Sequence, residues 1–290
     1  MASMRDIKRR RDSIKSTQQI TNAMKLVATA KLQKAKTGAE ETRPYFQKMH
    51  DTISSIIAQS GNVSHKYLDE REGKNNTYIV ITSNRGLAGG YNNNVCKQVI
   101  NHHKADEAEN VKVVAIGKKG RDAMRRLDFE IIDTFNEIVE KPTFADAVQI
   151  GSSVLKKFVE GEIDHVYIAY TAFESTLNQV PKLLKVLPLD LDDFAMDVTS
   201  EDNLISGIEY DPSPEEVLDH VIPQYVNSII FGALKESVAS EHGSRMTAMD
   251  SATSNASDMI DKLTLIYNRA RQASITQELS EIVAGAEALK

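Results

Sequence analysis

The sequence predicts an α/β protein in which a central parallel-sheet domain is flanked by long N- and C-terminal helices that form an antiparallel coiled coil. Three observations predict it. The two ends are depleted of helix breakers, the middle alternates strand-length and helix-length segments, and the terminal helices are too long for a globule of this size. Hydrophobic residues make up 41% of the 290 residues, enough to exclude wholesale disorder.

At the N-terminal end, no proline precedes Pro44 and no glycine precedes Gly38, so one very long helix is predicted from Ser3 to about Gln59. Steps of three and four trace a seam through Ile7, Arg10, Ile14, Thr17, Thr21, Met24, Ala28, Lys31 and Ala35. Its small and polar residues let a second helix approach closely. The stretch from Gln59 to Asn76, with Gly61, Asn62, Gly73, Asn75 and Asn76, is expected to be a polar loop.

In the middle, Tyr78–Thr82, Val111–Ile116, Phe129–Thr134 and Val166–Tyr170 are β-branched and aromatic runs of strand length. Helix candidates lie between them, at about Tyr91–Lys104, Lys118–Leu127 and Phe144–Glu160. Such alternation calls for parallel strands joined by right-handed crossovers, a Rossmann-like arrangement. A further strand is expected near Val180–Leu187, followed by an acidic surface loop or hairpin at Asp190–Asp202. The domains predicted are thus a coiled-coil helix (1–59), a linker (60–76), the α/β domain (77–211) and a second coiled-coil helix (212–290).

From Pro214 to about Ala288 the helical pattern returns, interrupted only by Pro223 and three glycines. Met246, Met249, Thr253, Ala256, Ile260, Leu263, Tyr267, Ala270 and Ser274 alternate steps of three and four without a miss. At 1.5 Å per residue the two terminal helices would measure roughly 80 and 110 Å. A compact globule of this length spans only about 50 Å, so an antiparallel stalk is the expected arrangement. The last helix should outrun its partner by about 27 Å. Its tip bears an apolar stripe, Ile275, Leu279, Ile282, Val283 and Ala286. Either the tip folds back on its own body or it sits in an apolar sleeve provided by another protein.

Charge is unevenly distributed. Residues Met1–Lys36 carry ten Lys or Arg against Asp6 and Asp12, a balance of +8, whereas the whole chain carries −6. A basic arm of this kind suits an acidic partner. Nucleic acid is a poor candidate, because no aromatic precedes Tyr45 to stack on bases. No apolar run reaches the ~18 residues of a membrane span, and the charged N-terminus lacks the apolar stretch of a secretory signal. Cytosolic exposure is expected. A lone Cys96 excludes an internal disulfide or a Cys-based zinc cage and reads as a core residue.

Enzyme-like features are sparse. The turn Ser83–Asn92, with Gly86, Gly89 and Gly90 between strand and helix, is placed where phosphate sites are built, yet it fits neither G-x-G-x-x-G nor the P-loop spacing. A tight packing turn is its simpler reading, and Ile116–Gly120 carries the same one. His102 and His103 are adjacent on a predicted helix, so they diverge by about 100° and form a surface pair rather than a chelate. No catalytic triad, metal site or cofactor site is expected.

Two terminal stretches carry a resemblance. Arg271 onward reads RQASITQELSEIVAGAEAL, and its Ile275-Thr276-Gln277-Glu278 with Glu281 and Gly285-Ala286 resembles the C-terminal signature of the gamma subunit of F-type ATP synthases. IKSTQQITNAMKLVATAKLQKAK, from Ile14 to Lys36, is similar to that family's N-terminal helix, and Ser83–Asn92 to its glycine turn. The resemblance implies a central rotor shaft that couples proton-driven rotation of the c-ring to ATP synthesis or hydrolysis, with no catalytic site of its own. It implies as partners three alpha and three beta subunits, the epsilon subunit and the ring of c subunits, with no nucleic acid and membrane association only through the complex. The implied location is peripheral, at the cytoplasmic face of a bacterial cell membrane.

The resemblance implies coupling contacts to the alpha/beta ring at Arg9, Arg10, Met24, Lys25, Arg245, Arg271, Gln272, Thr276 and Glu278, with the apolar tip turning in a bearing. Asn84 and Ala88 stand where many members have Asp and Cys. The single cysteine excludes the dithiol switch of chloroplast members. The alternatives are a nucleotide-binding α/β enzyme using Gly86–Gly90 and a basic coiled-coil adaptor.

Overall fold

Alternating burial organises the middle of the chain. The computed structural model describes residues 4–60, 65–105, 110–190, 194 and 213–287. Its elements are α1 (Met4–Glu40), α2 (Arg43–Ser60), β1 (Asn75–Ile81), α3 (Tyr91–Ala105), β2 (Asn110–Ile116), α4 (Lys118–Arg125), β3 (Glu130–Phe135), α5 (Phe144–Val159), β4 (His165–Phe173), β5 (Gln179–Leu187) and α6 (Pro214–Glu287). Contacts group them into two units, Thr29–Ser244 and Met1–Ala28 with Arg245–Lys290.

In the larger unit, a five-stranded sheet has the order β3-β2-β1-β4-β5. β1 lies in the middle, parallel to both β2 and β4, and β3 is parallel to β2. The edge strand, whose direction the sequence pattern leaves open, departs from this arrangement. β5 runs antiparallel to β4, because only a short connection, 174–178, separates them, and that length permits a hairpin but no crossover.

Residues of β1 alternate between two cores. Tyr78 and Val80 pack with Val95 and Val99 of α3 and Met124 of α4, whereas Ile79 and Ile81 pack with Ile150, Val154 and Phe158 of α5. The second core also takes Ile53 and Ile56 of α2 and Leu218, Ile222 and Ile230 of α6. The split follows from topology: the chain winds outward from β1 through β2 to β3, then returns past β1 to β4. Right-handed crossovers in opposite directions place their helices on opposite faces. Both faces are therefore covered, which is why β1 is buried almost throughout.

The N-terminal helix is not continuous. It ends at Glu40, a turn covers Glu41 and Thr42, and α2 begins at Arg43. Pro44 cannot donate its nitrogen to a helix above it, but fits the first turn of a new one. Thr42 closes the break, its hydroxyl donating to the Ala39 carbonyl at 2.8 Å. α6, conversely, is uninterrupted by Pro223. Leu218, Ile222 and Val226 around the proline are buried, and that packing outweighs the lost hydrogen bond.

The expected polar loop before β1 is partly core. Tyr67 and Leu68 are buried, and the Leu189 N–H donates to the Tyr67 carbonyl at 2.9 Å. Lys66 Nζ lies 2.6 Å from Asp219 Oδ1 and His65 Nε2 lies 3.0 Å from it. The Lys66 ammonium holds the Asp219 carboxyl below its ordinary range. Residues 61–64 and most of the acidic stretch expected at Asp190–Asp202 lie outside the described residues.

In the smaller unit, α1 and α6 run antiparallel. Arg11 sits over the Tyr267 ring, Thr21 Oγ1 meets Thr253 Oγ1 at 2.8 Å, and Lys25 Nζ meets Asp250 Oδ1 at 2.6 Å. On α6 the inward residues are those the heptad spacing named, from Met246 to Ser274. On α1 the phase is corrected. The inward track passes through Ile7, Arg11, Ile14, Gln18, Thr21, Met24, Lys25 and Ala28, whereas Arg10 and Thr17 are exposed. Farther along, Leu32 is inward and Lys31 outward. Both tracks share Ile7, Ile14, Thr21, Met24, Ala28 and Ala35, and the expected seam errs at Arg10, Thr17 and Lys31; near Arg10 the guanidinium of Arg11 gains the Tyr267 ring instead.

Candidate functional site

The basic arm and the tip of α6 present their polar groups outward. Arg9 and Arg10 are exposed. Met24, Lys25 and Arg245 are half-buried. Lys25 is engaged with Asp250, an ion pair whose side chains are 37% and 62% exposed, so it is screened and readily exchanged for another partner. Asp250, the residue opposite, was invisible to a reading of the basic arm alone.

Beyond Ser274, every described residue of α6 is exposed. Arg271, Gln272, Thr276 and Glu278 are all exposed as well. Their neighbours bond within the helix: Ser274 Oγ donates to Glu278 Oε1 at 3.4 Å and Gln277 Nε2 to Glu281 Oε1 at 3.0 Å. The apolar stripe is in water, with Ile275 48%, Leu279 58%, Ile282 68% and Val283 62% exposed. Ala286 is exposed too. An isolated monomeric helix has no reason to keep such a stripe.

Further apolar residues point outward from the paired region, among them Ile20, Leu26 and Val27 on α1 and Met259, Leu265 and Ile266 on α6. Sequence reasoning followed the inward seam and passed over them. The signal was present as apolar residues that fall between the seam positions.

The glycine turn is occupied by its own contacts. Ser83 N–H and Oγ both donate to Asn92 Oδ1, at 2.9 and 3.0 Å. Asn84 spans two other elements, its Nδ2 donating to the Asn136 carbonyl at 2.6 Å and its Oδ1 accepting from Lys118 N–H at 3.0 Å. An amide supplies both a donor and an acceptor, which a carboxylate cannot. Gly117 (φ +91°) and Gly120 lie against Thr82, where any β-carbon would collide. Close packing accounts for these glycines.

The histidine pair is not on the surface as expected. His102 and His103 are half-buried and turn to different neighbours, His102 Nδ1 lying 2.7 Å from the Tyr78 hydroxyl and His103 against Phe129. Cys96 is buried, and burial pushes its thiol up to about 11. No group of three or more His, Cys, Asp or Glu among the described residues is placed to hold a metal ion.

Known proteins are similar to this chain along nearly its whole length. A family model described as ATP synthase matches residues 3–289. The ATP synthase gamma chain of Lachnoclostridium phytofermentans is 50% identical over 292 residues, covering all of both chains. A gamma chain of Acetobacterium woodii described as sodium ion specific is 46% identical, covering 99% of each. Among solved structures, a chain of the Euglena gracilis mitochondrial ATP synthase aligns with TM-score 0.66 at 19% identity, covering 99% of this chain and 94% of its own. One from the Tetrahymena thermophila central stalk and c-ring aligns with TM-score 0.59 at 24% identity, over 80% and 99%.

Proposed function

The chain belongs to the ATP synthase gamma family and serves as the rotor shaft of that complex; we propose that it does so without a catalytic site of its own. It is a peripheral part of a membrane complex, and no helix among its described residues is long and apolar enough to cross a bilayer. Its partners are three alpha and three beta subunits around the helix pair, with epsilon and the c-ring gripping the α/β unit. The complex stands on the cytoplasmic face of a bacterial cell membrane.

The observation that carries the mechanism is the contrast along α6 between a paired segment and an exposed apolar tip. From Met246 to Ser274 one face is held against α1, so the two helices resist twisting as a unit. From Ile275 onward the apolar stripe turns inside the ring of alpha and beta subunits. Non-directional contacts have no single preferred angle, so the tip slides.

Torque needs the opposite kind of contact. Arg9, Arg10, Lys25, Arg245, Arg271, Gln272, Thr276 and Glu278 make directional, charge-assisted bonds to loops of the ring that break and reform at each step, while Met24 packs beside them. Rotation then carries each catalytic site through its states, and all bond making belongs to the ring.

Truncation of the chain after Arg271, assembled into holoenzyme, tests this reading. Torque and coupling should fall while the unfolding midpoint of the α/β unit stays put. A truncated enzyme that rotates and couples normally would remove the tip from the mechanism.

A further inference from the structure

A cleft that the shaft role does not use lies between the end of α1, the segment that follows β3 and the middle of α6. It has a volume of about 640 Å³, within the range of small-molecule sites, and lies wholly within the larger unit. Four lysines line it: Lys31 and Lys34 from α1, Lys141 from the segment between β3 and α5, and Lys235 from α6. Three separate stretches of chain therefore bring positive charge to one concavity in a protein whose net charge is −6.

Glu140 and Glu41 are the two carboxylates in the wall. Glu140 is shared, with Lys31 Nζ at 3.7 Å from Oε2 and Arg85 Nη2 at 3.5 Å from Oε1. Arg85 belongs to the glycine turn after β1, so the pair links that turn to the cleft. Lys34 and Lys141 have no ion pair among the described residues, and Lys235 lies over the Phe231 ring. Cationic groups thus outnumber the carboxylates in the wall of the cleft.

We propose that this cleft binds a small polyanion of the diphosphate class, either free pyrophosphate or the phosphate chain of a nucleotide. The chemistry favours that class. Lysine ammoniums are point charges on flexible stems, suited to a compact cluster of phosphate oxygens rather than to one planar carboxylate. Their spread over three stretches of chain rewards a ligand with several charges close together. Glu140 acts as an internal competitor that occupies Lys31 and Arg85 until the anion displaces it.

The test is equilibrium binding of pyrophosphate, and separately ADP, to the full-length chain by calorimetry in the absence of magnesium. Saturable binding at one site per chain is expected, and it should weaken as salt is raised. The double variant Lys34→Gln/Lys141→Gln should bind about tenfold more weakly or worse, because two charge-assisted contacts are lost. Glu140→Gln should bind more tightly, since Lys31 and Arg85 are released, and Lys156→Gln, on the exposed face of α5, should change nothing.

Equal affinities for pyrophosphate and ADP would assign the site to the phosphate chain, and tighter ADP binding to a nucleotide. No saturable binding of either anion at millimolar concentration would overturn the proposal. So would binding that the double variant leaves intact, or binding of acidic peptides alone. A failed site would leave the shaft reading standing, because that reading is tested by coupling in the holoenzyme.

Discussion

The two units of this chain hold together by different means. The α/β unit is organised around side chains with no exposure at all, including Tyr78, Ile79, Val80, Val113, Phe158 and Ile168. In the paired segments of α1 and α6, only Ile7, Ala28, Met249 and Ala256 are buried apolar residues, and the rest of the seam is half-exposed or polar. A sheet covered on both faces excludes water from its centre, whereas two helices lying side by side can cover only one stripe each. One unit can therefore hold its structure alone, while the other leaves most of its apolar surface for something else to cover.

The largest effect should come from the core. Phe158→Ala removes a fully buried ring that also packs against Tyr67 and lies under the Arg71 guanidinium, 3.9 Å from its centroid. A loss of about 3–5 kcal/mol is expected in urea unfolding. Met249→Ala in the helix pair, although also a buried residue, should lose less, because the site opens to solvent and collapses easily. Equal losses would mean that the pair has a core of the same kind.

The next effect probes the glycine turn. Asn84→Asp keeps the acceptor for Lys118 N–H but sets a carboxylate oxygen against the Asn136 carbonyl, where the amide had donated. The expected loss is about 1–3 kcal/mol, read from the same unfolding curves. No loss would show that the turn is held by its glycines alone.

A pH titration sharpens the same contrast. Cys96 and Tyr170 both sit in the α/β unit with acidities pushed up by burial, to about 11 and about 12, Glu236 adding to the rise at Tyr170. Both groups are bound to their protons more tightly when folded. The stability Cys96 contributes is complete below the unfolded thiol's value near 9 and is lost as pH climbs toward about 11, and that of Tyr170 is complete below 10 and is lost toward about 12. Cys96→Ala should flatten the decline of the urea midpoint between pH 9 and 11, and the thiol should resist alkylation at pH 8 until the unit unfolds. Alkylation as fast as that of a free thiol would contradict the burial of α3.

How far the sequence foretold the molecule depended on whether periodicity or contact across the fold decided the outcome. The four parallel strands, α3 to α5 and the seam of α6 were legible because one physical rule, burial of one face, governs long runs. The phase of α1 was not. Arg10 and Arg11 are equally poor seam residues by hydropathy, and the choice between them rests on Tyr267, which lies far away in sequence. The break at Glu41 was masked by good helix formers on both sides of Pro44. The coupling contacts were implied by resemblance alone, and in the structure Arg9, Arg10, Arg271, Gln272, Thr276 and Glu278 are exposed while Met24, Lys25 and Arg245 are half-buried, a difference that no spacing rule supplies. The lysine cleft was illegible for a related reason, since Lys31, Lys141 and Lys235 converge only after the sheet is wound.

Lys25→Ala should give the smallest change in stability and the clearest separation of the two units. Its ion pair with Asp250 is short but solvated, so the loss should be no more than about 1 kcal/mol and should shrink further at high salt. A purely structural Lys25 would show that small loss and nothing else. A residue that exchanges Asp250 for a carboxylate of the surrounding ring would instead reduce ion pumping per ATP hydrolysed in the holoenzyme, with assembly and the unfolding midpoint nearly unchanged. Asp250→Asn separates the two further: it releases Lys25 without removing its charge, so coupling should be kept or improved where Lys25→Ala weakens it. Equal coupling defects in both variants would place the function in the pair itself, and the helix pair would then be a rigid rod whose surface charges are incidental.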